Sequence, residues 1–477
     1  MKQTRKLSLL LALPLLVTAM ALMPGDAPKV WTSASEPLQE IEQIRKEIKA
    51  PVFSKKVFDI TAYGAKGDGV TDNSAAFKGA IEACNTAGGG RVLVPEGKFL
   101  TGPIYLKSNV ELHVTENATI VFSRNTKDYP LVLARWEGMD CMNYSPQIYA
   151  YHEENIAVTG SGTLDGNASK EYWWPWKGRT QYGWVKGAPS QQPARDTLHV
   201  MMHNRVAPEK RIFGEGHYLR PYMLQPYQCR NILISGVKMI NSPMWFISPV
   251  MCENVTVEHV QIDSHGPNTD GCDPDACKNV LIRNCFFNTG DDCIAIKSGR
   301  DEDGRQYGKP AENHIIENCT FKNGHGGVVI GSEIAGGARN IYAVNCKMSS
   351  PDLDRILRIK TSSSRGGTIE NVFLKHIEVG TYKDAAITCD MFYENPGNFM
   401  PVIRNIWVEE LNVANGGNYA VAINAYQQSP VQNLRLVNCN IKGVKTPVKI
   451  NFVKGMQLTN VKVNEALFTL PDSLSAK

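Results

Sequence analysis

Seven side chains in the second half of the chain are of types that do chemistry. Asp270 lies in NTDG, Asp291 and Asp292 in TGDDC, His325 in GHGG, Arg358 and Lys360 in RIK, and Tyr393 in MFYEN. Two adjacent carboxylates cannot both ionise cheaply, so one of Asp291 and Asp292 should keep its proton and act as a general acid. A separate carboxylate such as Asp270 would stay ionised and act as base on a water. An acid facing a base carboxylate is the arrangement that hydrolyses glycosidic bonds. Arg358 and Lys360 add positive charge that a hydrolase of neutral sugars does not need. They suit a substrate carrying its own carboxylate, which Arg can bind with two hydrogen bonds. Taken singly, each residue has a plainer reading. An Asp pair in a turn is more often solvated or a calcium ligand, a lone His more often structural, and two basic residues on a strand more often an exposed face.

What changes those odds is a repeat that stacks these residues. Segments begin at Asn231, Asn254, Asn279, Asn313, Asn340, Asn371, Asn405 and Asn433, at intervals of 23 to 34 residues. Each reads Asn-apolar-x-apolar-x-x-apolar-x-apolar, with few lapses. The alternation has period two, which predicts a strand with one buried face and excludes helical repeats of similar length. Recurrence at this interval makes each unit one coil of a solenoid. The fold class predicted is all-β, a right-handed parallel β-helix, with coils at the strand spacing of about 4.8 Å. Aligning the turns after each segment matches Gly290–Ser298 with Gly324–Ser332, and Leu357–Thr361 with the second half of both. Asp270 aligns with Asp291, to within a residue. Asp270, the Asp291/Asp292 pair, His325, and Arg358 with Lys360 then form one column over four coils, on the order of 15 Å tall, on the outside of one sheet.

The head-of-coil asparagines should occupy a turn and bond to their equivalents in the next coil. Cys285, Cys319, Cys346 and Cys439 fall where other coils carry Val, Ile or Leu, so they read as small buried hydrophobes and free thiols.

The rest of the chain frames this unit. Lys2, Arg5 and Lys6 precede an apolar run from Leu7 to Leu22 with Ala19-Met20-Ala21 near its end, the pattern of a signal peptide over residues 1–22. An exported protein, periplasmic or secreted, is expected, with no retained membrane span. Residues 23–54 form a linker and a short amphipathic helix, Ser35 to Ala50. Leu38, Ile41, Ile44 and Ile48 lie on its one face, and it should cap the open solenoid. Residues 55–470 form a single β-helix domain. A second helix, from about Asn73 to Cys84, follows a Gly-rich loop that lacks the spacing of a phosphate-binding motif. From Asp165 to Pro226 the repeat is interrupted by EYWWPWKGRTQYGWVKG and GEGHYLRPYMLQPY. A loop that long either serves function or packs its own aromatics as a lid. The formal charge of +4 and the absence of basic runs argue against nucleic acid.

NTDG, GDDCIAIKSG, GHGG and RIK, in this order, resemble glycoside hydrolase family 28, the polygalacturonases, and the resemblance runs from about residue 55 to 465. It implies inverting hydrolysis of α-1,4 bonds between galacturonic acids in pectin, with no cofactor or metal, by a monomer. It implies Asp291 as general acid, Asp270 and Asp292 as the residues that activate water, and His325 as support for the acid or a substrate ligand. It implies Arg358 and Lys360 on the galacturonate carboxylate, and Tyr393 as a subsite residue. The forms GHGGVVIGSE and NTDGCDPD are more similar to the exo-acting branch, and the insertion is long enough to wall off one end of the column. Three other readings compete. One is a hydrolase of rhamnogalacturonan or xylogalacturonan, another a calcium-dependent pectate lyase using the Asp cluster as ligands. The third is a non-catalytic glycan-binding β-helix.

Overall fold

The computed structural model describes residues 31–470, so the signal-peptide reading lies outside the described residues. From Val57 onward the chain winds as a parallel β-helix of three ladders, right-handed as the repeat predicts. One residue per coil traces the third ladder in register through eleven coils. These are Ile104, Ile148, Leu224, Ile247, Cys272, Ile294, Val328, Leu357, Ile387, Val421 and Val448. The interior is a continuous aliphatic core running the length of the solenoid. Each such side chain contributes about 1.5–3 kcal/mol relative to leaving it exposed.

Each nine-residue repeat bends in its middle: five of the eight split there into two strands, and those at Asn340, Asn371 and Asn405 run through as one. The sixth position of each repeat, Gly236, His259, Asn284, Asn318, Asn345, His376, Glu410 and Asn438, has positive φ. A left-handed residue turns the chain and shifts the in/out alternation by one. That is the physical reason for the double polar gap in the repeat. The head-of-coil asparagines also have positive φ, a region Asn tolerates better than other non-glycine residues. As expected, each donates its side-chain amide to the asparagine one coil earlier, at 2.9–3.4 Å, from Asn231 to Asn433. All twelve cysteines are buried and free.

Helix α1 forms over Ser35–Glu47, but what it covers differs from expectation. It lies on the flank of the solenoid, not over an end. Leu281, Ile315, Tyr342, Phe373 and Trp407 form an outward column of five coils, and Trp31, Ile41, Ile44 and Ile48 close over it. Leu38, placed on the buried face by the helical spacing, is 38% exposed, and Pro37 is buried instead. The first coil is closed by α2, Ser74–Thr86, which buries Phe77, Ala80, Ile81 and Cys84 into the main core. Two excursions leave the third ladder on its N-terminal side. One is a hairpin of Leu131–Trp136 and Met139–Tyr144. The other is the insertion, which runs from the strand Thr163–Asp165 to the strand Leu224–Tyr227 and contains a helix, α3, Gln192–His203.

Candidate active site

The third ladder positions the site, because each functional residue flanks or occupies one of its strands. Asp270 precedes the bridge at Cys272, Asp291 and Asp292 precede Ile294–Ile296, and His325 precedes Val328–Ile330. Arg358 and Lys360 lie within Arg355–Lys360, and Tyr393 follows Ala385–Asp390. Cys272 pairs with Ile294, so Asp270 stands opposite Asp292 and not Asp291, one residue from the alignment drawn on sequence. Gly326 stands opposite Asp292 on the other side, by the pairing of Ile294 with Val328. A Cβ there would meet Val329 at 2.4 Å and Arg358 at 3.4 Å. The missing side chain leaves the path by which Arg358 and Lys360 reach across a coil.

Those two cations end on one carboxylate. Arg358 Nη1 donates to Asp292 Oδ1 at 3.2 Å and Lys360 Nζ to Asp292 Oδ2 at 2.6 Å. Asp292 is fully buried, yet the two cations hold its carboxyl far below the usual range against the opposing effect of burial. Tyr393 lies over both cations, its ring centre 5.5 Å from the Arg358 guanidinium and 5.1 Å from Lys360 Nζ. Asp291, with its side chain 19% exposed, shares a 2.8 Å hydrogen bond with His325 Nδ1. Burial alone would raise the Asp291 carboxyl, but the His325 bond holds it below its ordinary value and raises the imidazole in turn. Asn268 donates to the other Asp291 oxygen at 3.3 Å.

Asp270 behaves in the opposite way. It is buried, its Oδ1 has no partner, and burial beside Asp273 and Asp291 pushes its carboxyl well above the carboxylate range. Both shifts run opposite to the expectation from sequence. The cations and His325 lower the two carboxyls of the adjacent pair, and burial raises Asp270, which was expected to stay ionised. Beneath it, burial raises Asp273 to about 8, with Lys297 3.6 Å away.

One oxygen from each of Asp270, Asp291 and Asp292 lies within 4.8 Å of the others, a donor set that could take a cation. Both Asp292 oxygens are already engaged by positive groups, so an ion would have to displace them. The carboxylates are also closer together than the ~6.5–9.5 Å usual for inverting enzymes. Spacing therefore does not supply the stereochemistry.

Above the carboxylates is a cavity of about 440 Å³. Asp270, Asp291, Lys360 and Tyr393 line it. The excursions complete the lining, with Glu137 at the hairpin tip and Lys177, Gly178, Arg179 and Arg195 of the insertion. Sequence reasoning did not single out Glu137, Lys297, Arg300, Glu333 or Glu394. Lys297 bonds Glu333 at 3.1 Å, and Arg300 pairs with Glu333 and, at 2.9 Å, with Glu394. Three of these were within quoted motifs, as the Lys of GDDCIAIKSG, the Glu of GHGGVVIGSE and the Glu of MFYEN. The aromatics of the insertion pack as a lid: Trp173 and Trp176 are 4.9 Å apart, and Trp176 lies 5.2 Å from Tyr218. Its basic residues Lys177, Arg179 and Arg195 line the cavity.

This fold and site match a known class. The model of glycosyl hydrolases family 28 matches residues 214–464, and a rhamnogalacturonase A/epimerase, pectate lyase-like model matches residues 57–122. The chain belongs to glycoside hydrolase family 28 and is a glycoside hydrolase. Among solved structures it is similar to the hyperthermoactive exopolygalacturonase of Thermotoga maritima, 44% identical, with a TM-score of 0.86 over 89% of this chain and 96% of that one. Among sequences it is 28% identical to a Vitis vinifera protein named "Probable polygalacturonase", over 83% of this chain and 77% of that protein. It is 26% identical to the exo-poly-alpha-D-galacturonosidase of Dickeya chrysanthemi, over 85% and 70%.

Proposed function

We propose that this chain is an exported exo-polygalacturonase that hydrolyses α-1,4-galacturonosidic bonds with inversion. The observation that carries the reading is a carboxylate cluster, flanked by cations, at the bottom of a cavity walled on one side by the insertion. A cavity closed on one side takes a chain terminus, and the cations take a polyanion. Asp291 reaches the cavity as the general acid: it and His325 hold one proton between them, and the raised imidazole supplies Asp291 as that proton passes to the leaving oxygen. Asp292, held ionised by Lys360 and Arg358, accepts the proton of the attacking water. Asp270 lines the same space and holds the water beside Asp292. Arg358, Lys360 and Tyr393 bind the uronate beside the scissile bond.

The test is the time course of products from polygalacturonate, with NMR of the first-formed anomer. Monogalacturonate should appear first, with the β anomer leading and viscosity falling slowly. An early ladder of mid-length oligomers would refute exo action, and an initial α anomer would refute inversion. An unsaturated product absorbing in the ultraviolet would move the protein to the lyases.

A further inference from the structure

The scissile bond of a polyuronate joins two sugars, each with a carboxylate, but the Arg358–Lys360 pair can neutralise only one. Two cations against the one carboxylate of Asp292 leave a single positive charge. The second carboxylate needs another partner. Most of the remaining cavity cations are already neutralised.

Lys297 is paired with Glu333 and lies near Asp273. Arg300 is paired with Glu333 and Glu394, and Arg195 with Glu137 at 2.6 Å. Two lining cations differ. Lys177 Nζ is bonded to a neutral amide, Asn268 Oδ1, at 2.7 Å, and has no carboxylate within ion-pair distance among the described residues. The Arg179 guanidinium has no hydrogen-bond or ion-pair partner among the described residues, although it lines the cavity. Both belong to one short turn of the insertion, separated by Gly178.

That turn is built to hold them there. Lys177 ends a single 3-10 turn, Trp174–Lys177, and Gly178 follows in the left-handed region at φ 77°. The turn is fastened beneath by Trp174, whose ring nitrogen donates to Ser242 O at 2.9 Å, and by Trp176 against Trp173. Burial lowers the Lys177 ammonium, and an incoming carboxylate would offset that effect.

We propose that Lys177 and Arg179 form a second carboxylate-binding site, which holds the terminal uronate on the insertion side of the scissile bond. Arg358 and Lys360 then serve the uronate on the other side. The insertion thereby selects a charged chain end and does not merely block the groove. This inference rests on the reading of the site as a uronate hydrolase.

Arg179→Gln is the clean test, because Arg179 is exposed and holds nothing else in place. In calorimetric titration the wild type should bind galacturonate in preference to galactose. Arg179→Gln should weaken galacturonate about 10–100-fold, the range for a hydrogen bond to a charged group, leave galactose unchanged, and be rescued by Arg179→Lys. Digalacturonate methyl-esterified at one or the other sugar sharpens it. The KM of the wild type should rise most for one of the two esters, and Arg179→Gln should remove that difference with little change in kcat. Galacturonate binding equal in variant and wild type, or equal sensitivity to both esters, would overturn the proposal. If the wild type releases no sugar from polygalacturonate, the hydrolase reading fails, while the titration still reads this site.

Discussion

Two columns of the same solenoid obey the same stacking geometry and use it in opposite ways. In the asparagine column every coil supplies the same residue, in the same left-handed conformation, bonded to its own equivalent one coil away. In the column of the third ladder the facing positions differ: Asp270, Asp292 and Gly326 stand at one register, with Arg358 and Lys360 reaching in from the next coil. Repetition gives each asparagine a neutral hydrogen bond and no net field. Variation puts unlike charges at strand spacing and lets one coil set the protonation of another. In a solenoid, chemistry resides where the register holds and the repeat identity breaks.

The largest expected effect breaks the varied column. Asp291→Asn should lower turnover by roughly 10²–10⁴-fold, the range for loss of a general acid. Its thermal stability should change little, since Asp291 is partly exposed and an amide can still bond His325 and Asn268. Asp292→Asn should lose comparable activity and also unfold more readily. It leaves buried Lys360 and half-buried Arg358 without their counter-ion, and removing one member of a buried pair costs about 3–5 kcal/mol. Kinetics and denaturant melts of the two variants check this. Near-full activity of a well-folded Asp291→Asn protein would remove the acid assignment, and equal stability losses would remove the contrast between the neighbours.

The next effect breaks the uniform column. Asn313 donates to Asn279 and accepts from Asn340, both at 3.0 Å, with φ at 60°. Asn313→Ala loses both bonds and keeps a Cβ in the left-handed region, so it should destabilise by about 2 kcal/mol with kcat unchanged. Asn313→Gly should recover the conformational part and not the hydrogen bonds. Equilibrium unfolding separates the two. A fall in kcat at constant stability would show that the columns are coupled.

Much of this was legible because repetition amplifies a weak signal. Period two at Val280 and Ile282, and again at Cys285 and Phe287, means little once, but recurring in eight units it defines the solenoid, and the solenoid gathers the catalytic column. What failed to read out depended on depth and partner. Adjacency of Asp291 and Asp292 suggested a raised pKa, but the neighbours that decide it, Lys360 and His325, come from other coils and outweigh adjacency. Asp270 looked like the free base because sequence does not reveal that its Oδ1 is buried without a partner. Helix α1 was visible as amphipathic, but its partner was not. The clue lay in the third repeat position, read as outward and yet occupied by Leu281, Ile315, Tyr342, Phe373 and Trp407.

The smallest effect concerns a column that repeats without needing its repeated residue. Cys285, Cys319 and Cys346 stack on consecutive coils at the position filled by Val237, Val260, Ile377 and Leu411 elsewhere. Their thiols lie beside one another in the aliphatic core and donate to backbone carbonyls, as Cys319 Sγ does to Glu317 O at 3.4 Å and Ile282 O at 3.7 Å. A thiol is a weak donor, so these bonds contribute little, and the side chain acts through its volume. Cys319→Val should therefore cost less than about 1.5 kcal/mol, the range for swaps of similar volume in a packed core. Activity should be unaffected, and titration of the unfolded, unreduced protein should find the thiols of this stack free. A loss as large as that of Asn313→Ala would mean that the sulfur column is held by bonding, as the asparagine column is. A fully oxidised protein would show the stack to be covalent.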